Sequence, residues 1–80
     1  MKIEYGKLEG NQAINSEFKL HGIITGDANV LEGGILYLHG IISGNLIVET
    51  GATAILNGMV SCKVTNNGGT LQIYGTIFGV

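Results

Sequence analysis

One spacing constrains this chain more than any other feature: glycine followed by glycine four residues later, recurring along almost the whole length. The pairs are Gly6 and Gly10, Gly22 and Gly26, Gly40 and Gly44, Gly58 with Cys62 in the second slot, and Gly75 and Gly79. Their first members are separated by 16, 18, 18 and 17 residues. Two residues before each first glycine stand Glu4, Leu20, Leu38, Leu56 and Ile73, and two after it Leu8, Ile24, Ile42, Val60 and Ile77. A second phrase keeps the same period, with Ala28 and Val30 matching Leu46 and Val48 and then Val64 and Asn66. Self-similarity at a fixed period marks a repeat architecture, in which each unit buries its apolar face against its neighbours.

Within a unit the apolar period is two, the mark of strands. Phe18, Leu20, Gly22 and Ile24 alternate with Lys19, His21 and Ile23, and the pattern returns in Leu36 to Ile42, Ala54 to Val60 and Leu71 to Ile77. No segment carries a capped pattern of period 3.6, so no helix is expected. Strands that face the same way every 18 residues or so do not form a hairpin stack, whose loops take only about 2–5 residues. They fit a coil whose successive turns pair in parallel, about 4.8 Å apart. The expected fold is all-β, a short parallel β-helix of about four turns with 17–18 residues per turn. Residues 1–17 form a polar N-terminal capping turn and residues 18–80 the helix proper. Leu38 and Leu56 are placed at the core's centre, stacked with Leu20 and Ile73. Glycines at inward slots imply a narrow cross-section where another strand crowds in. Gly26, Gly44 and Gly79 are expected to supply corners with positive φ.

The run Leu38-His39-Gly40-Ile41-Ile42-Ser43-Gly44-Asn45-Leu46-Ile47-Val48, with Leu20 to Val30 and Leu56 to Val64, resembles the bactofilins, polymer-forming bacterial cytoskeletal proteins. The likeness covers residues 18–79. It implies a right-handed, three-sided parallel β-helix and a structural role by self-association. Aliphatic residues also recur every six positions, from Phe18 through Ile24, Val30 and Leu36 to Val60, which is similar to the left-handed β-helix of hexapeptide acyltransferases. Those enzymes commonly place glycine after the aliphatic residue, where Thr25, Leu31, Tyr37 and Ser43 stand here. The right-handed form is therefore the preferred reading.

Composition narrows the function. Net charge is −2, and the four cationic residues are all lysine, so there is no basic stripe to follow phosphates and nucleic acid is not an expected partner. No apolar run reaches the ~18 residues that span a bilayer, and residues 1–19 lack a signal-peptide pattern, so the chain is expected to be cytoplasmic and not membrane-inserted. The single Cys62 has no internal disulfide partner and is expected to be buried and inert.

Candidate chemistry is sparse. His21 and His39 occupy equivalent outward slots on adjacent turns, about 5 Å apart and within reach of a shared metal. Asn57 and Tyr74 hold that slot in the later turns, so a full coordination shell is hard to assemble, and a solvated histidine ladder is the preferred reading. Asp27, Glu32 and Glu49 are expected to be solvated rim charges. Asn57, Asn66 and Asn67 are candidates for short amide ladders. No catalytic residue, cofactor site or metal site is assigned, and the chain is expected not to be an enzyme.

Binding remains. The outward row Ile23, Ile41, Met59 and Thr76, flanked by Tyr37 and Ile55, is a contiguous ladder of the kind that calls for cover. The last turn, with Leu71, Ile73, Ile77 and Phe78, has no charged side chain after Lys63 to blunt its edge. The expected interface is thus Ile23, Ile41, Met59, Leu71, Ile73, Ile77 and Phe78, and the expected partner is a second copy, a dimer rather than a filament. The alternative is a small protein-binding module, such as an immunity or inhibitor protein that blocks a toxin.

Overall fold

In a computed structural model that describes residues 2–78, the repeat becomes a stack of coils with three strands each. The first coil holds β1 (Lys2–Glu4), β2 (Lys7–Leu8) and β3 (Gln12–Ile14), and the second β4 (Glu17–Leu20), β5 (Ile23–Ile24) and β6 (Ala28–Val30). The third holds β7 (Ile35–Leu38), β8 (Ile41–Ile42) and β9 (Leu46–Val48), and the fourth β10 (Thr53–Leu56), β11 (Met59–Val60) and β12 (Val64–Asn66). Two further strands, β13 (Thr70–Ile73) and β14 (Thr76–Ile77), begin a fifth. Every pairing is parallel and joins a strand to its equivalent one coil away. The result is three sheets, ordered β1-β4-β7-β10-β13, β2-β5-β8-β11-β14 and β3-β6-β9-β12. The molecule is an all-β parallel solenoid of about four turns, and the capping turn at its start is itself a paired coil.

Register follows the glycine alignment residue for residue: Leu20, Leu38, Leu56 and Ile73 are successive partners, as are Ile24, Ile42, Val60 and Ile77. The period-two alternation sends these side chains inward. Leu20, Ile24, Leu36, Leu38, Ile42 and Leu46 have no exposed surface, and Leu56 keeps 1%. The six-residue spacing of aliphatics is real, since Phe18 through Val60 on that spacing are all buried. Yet each coil adds inward residues between them: Leu20 and Ala28 in the second, Leu38 and Leu46 in the third. The extra pair arises because the strands of the first and third sheets each present two side chains to the core, Phe18 with Leu20 and Ala28 with Val30 in the second coil. Ile73 departs from expectation. It stacks in the central column but lies on an outermost strand, and 48% of it is exposed.

The uneven repeat lengths have a single location. Between the first and second sheets the corner is always two residues, and between the second and third always three. From the third sheet back to the first it is two residues after β3, four after β6 and β9, and three after β12. Variation there leaves every strand register intact. Gly33, Gly51 and Gly68, with φ of 82°, 81° and 115°, turn the chain at this variable corner.

Two expectations about glycine are overturned. Gly26 and Gly44 do not have positive φ, which among the described residues belongs to Gly10, Gly33, Gly51 and Gly68; Gly79 lies outside the described residues. What Gly26 and Gly44 supply is closeness along the axis, because a Cβ on Gly26 would stand 2.5 Å from the Gly10 carbonyl. Gly22, Gly40, Gly58 and Gly75 are likewise not crowded from across the section. A Cβ on each would collide with the carbonyl of the glycine one coil below. That carbonyl is already engaged: Gly22 accepts from the Ile41 N–H and Gly40 from the Met59 N–H, both at 3.0 Å.

Candidate interaction surfaces

The glycine corner between the first and second sheets shapes the most distinctive surface. Each coil places one outward residue before the glycine and one after it, and the glycine itself leaves the backbone bare between them. Stacking repeats this unit and produces a groove of about 630 Å³ along the axis. Its floor is Gly6, Gly22, Gly40 and Gly58; one wall is Tyr5, His21 and His39, and the other Lys7, Ile23, Ile41 and Met59. The aliphatic wall is the row foreseen from sequence, with Lys7, Ile23, Ile41, Met59 and Thr76 as successive partners. Ile23 is 39% exposed, whereas Ile41 and Met59 are half-buried. Tyr37 and Ile55 are partners in the next outward row of the first sheet, and the imidazole wall stands between the two rows.

The opposite wall is a stack of rings. His21 and His39 lie 5.1 Å apart between centroids with planes 13° from parallel, and Tyr5 continues the stack onto His21 at 5.0 Å and 11°. These distances follow the spacing of parallel strands, because each ring leaves an equivalent backbone position. Tyr5 was missed in the sequence reading. Its signal was present: it precedes Gly6 as His21 precedes Gly22. Among the described residues no cluster of three or more His, Cys, Asp or Glu side chains is gathered for a metal ion.

Among the other polar residues, Asp27 and Asn66 are placed differently from expectation. Asp27 is not a free rim charge. At the second-to-third-sheet corner Asn11 Oδ1 accepts from the Asp27 N–H at 2.9 Å, Asp27 Oδ1 from the Asn45 N–H at 2.7 Å, and Asn45 Oδ1 from the Lys63 N–H at 3.0 Å. Side chain thus binds backbone from coil to coil until Lys63, which has no acceptor to offer. Glu32 and Glu49 lie at the variable corner instead; Glu49 Oε1 accepts from Asn67 Nδ2 at 3.5 Å. Asn66 does not join an amide ladder, since its Oδ1 accepts from the N–H groups of Gly68 and Gly69 and closes that turn. Cys62 is exposed, not buried as expected: it takes the second glycine's slot at an outward corner, and its Sγ lies 3.4 Å from the Ser43 carbonyl oxygen.

The two ends of the stack differ in chemistry. Inward slots of the first coil hold Lys2 over Phe18, Glu4 over Leu20 and Gln12 over Ala28, alongside the apolar Leu8 over Ile24 and Ile14 over Val30. The Lys2 Nζ sits 5.8 Å from the Phe18 ring centroid, a cation over an aromatic face. Glu4 turns back to accept from the Gly6 N–H at 3.1 Å. At the other end the slots matching Lys2 and Glu4 hold Leu71 and Ile73, the slot matching Gln12 holds Val64, and Ile77 stands where the first coil has Leu8; the neighbouring Phe78 is 67% exposed. No helix among the described residues is long and apolar enough to cross a membrane. No family model, curated protein or solved structure matches the chain.

Proposed function

We propose that the chain is a non-enzymatic scaffold protein of the cytoplasm that associates with copies of itself. The contact runs first through the end formed by β13 and β14 and second through the row Ile23, Ile41 and Met59. The observation that carries this reading is the contrast between the ends. On the first sheet the β1 end sets Lys2 and Glu4 in the slots that Leu71 and Ile73 hold at the opposite end, where Ile77 and the exposed Phe78 stand beside them. Among the described residues β13 and β14 each have one strand neighbour, and their outer edges there carry unpaired N–H and C=O groups above an apolar column. Joining two such edges about a two-fold axis pairs those groups, buries both columns and ends the assembly at a dimer. Stacking this edge on a β1 edge sets leucine and isoleucine against lysine and glutamate, which disfavours a filament. The likeness of the repeat phrase to the bactofilins supports self-association in general.

The groove favours a second reading, a module that binds another protein such as a toxin. Mass in solution over a wide concentration range separates the two. A dimer that the double change Ile77→Lys, Phe78→Asp converts to a monomer supports the scaffold reading. A chain that stays monomeric at high concentration defeats it and leaves the groove as the working surface.

A further inference from the structure

We propose that His21 and His39 are a two-imidazole site for a divalent d-block ion, taking copper(II) most tightly and nickel(II) and zinc(II) less so. Imidazole is the commonest protein ligand for these ions, and ion preference at nitrogen sites follows that order. In-register parallel strands hold the two rings in equivalent positions, 5.1 Å apart and 13° from parallel. Metal–nitrogen bonds of about 2.0–2.1 Å require the two donor nitrogens to come to about 3 Å of each other. Both histidines are exposed, so a tilt of each ring about its own side-chain torsions supplies that convergence without moving backbone.

The surroundings leave room for the ion. Both rings border the groove, and its floor at Gly22 and Gly40 has no side chain to fill the space beside them. Water occupies the remaining coordination positions. Asn57, exposed in the same slot of the following coil, offers an amide oxygen next to His39. Because the two ligands belong to successive coils, the bound ion clips the second coil to the third and adds to stability by mass action. The site is independent of self-association and stands whether the chain is a dimer or a monomer.

The test titrates nickel(II) chloride into Cys62→Ser protein, since the exposed thiol of Cys62 is itself a metal ligand. Metal-dependent melting and paramagnetic broadening of NMR signals are the readouts. His21→Asn and His39→Asn are the variants, because the stack already accepts Asn57 in this slot. One equivalent of nickel should raise the melting temperature and broaden signals of residues 20–23 and 38–41 first. Each single variant should bind at least about tenfold more weakly, since the second ligand acts at high effective concentration. Unchanged affinity in either variant, broadening centred elsewhere, or a stoichiometry of one ion per two chains would each overturn the site.

Discussion

Gly40 lies so close above Gly22 that a Cβ on the upper residue would fall onto the carbonyl oxygen of the lower one. The same relation links Gly58 to Gly40 and Gly75 to Gly58. Gly33 is glycine for another reason: its φ is 82°, and the nearest atom to a Cβ there is 3.9 Å away. Alanine should therefore act differently at the two sites. Gly33→Ala costs about 1–2 kcal/mol, the left-handed backbone penalty of a residue with Cβ. Gly40→Ala must push two hydrogen-bonded coils apart and should cost ~3 kcal/mol or more, at the upper end of overpacking effects. Urea midpoints of the two variants check the order, and equal losses would mean that the coils are not stacked this tightly.

Leu38 tests the column itself. It is fully buried between Leu20 and Leu56, its strand partners one coil away on either side. Leu38→Ala should cost roughly 2–5 kcal/mol, since the rigid backbone of two flanking coils limits collapse into the cavity. A melting temperature equal to that of the parent would contradict the register.

The polar column at the second-to-third-sheet corner makes a smaller, more selective prediction. Asn45→Ala removes the acceptor of the Lys63 N–H, which water replaces in part, so the loss should be about 0.5–1.5 kcal/mol. Asn45→Asp keeps an acceptor oxygen in place and should lose less. Hydrogen exchange at the Lys63 amide reads the bond directly: faster in the alanine variant, near parent in the aspartate one.

Much of the fold was legible because a coil repeats its inward positions at fixed spacing. The partners Leu20, Leu38, Leu56 and Ile73 were readable from the aliphatic residue two positions before Gly22, Gly40, Gly58 and Gly75. The reason for the glycines was not readable. An inward glycine is compatible with crowding from across the section or from the coil below, and only coordinates distinguish Gly22 against Gly6 from Gly22 against an opposite strand. The column Asn11, Asp27, Asn45 escaped notice because carboxylate and amide do the same work there, accepting an N–H, while a search for acid–base pairs looks for carboxylates alone. Cys62 misled for a physical reason: free cysteine is commonly buried, but the glycine slot it replaces lies at an outward corner.

That placement has a measurable consequence. An exposed thiol should react with a disulfide reagent in the folded protein nearly as fast as in denaturant. Protection by a large factor in the native state would put Cys62 back in the interior.

Ile41 separates folding from association. It stands between Ile23 and Met59 in the outward row, and the first coil already carries a charge in that slot, Lys7, without losing its pairing to β5. A charged side chain is therefore compatible with the coil, and Ile41→Glu should keep the parent's circular dichroism and nearly its melting temperature. Association should respond differently if the row meets another chain. Burying an isoleucine contributes about 1.5–3 kcal/mol, so replacing it with a carboxylate at the contact should weaken dimerisation roughly tenfold to a hundredfold. Sedimentation of the variant across concentrations measures this. Dimerisation at parental strength would clear the row of any role and leave the edge formed by β13 and β14, with Ile77 and Phe78, as the whole of the contact.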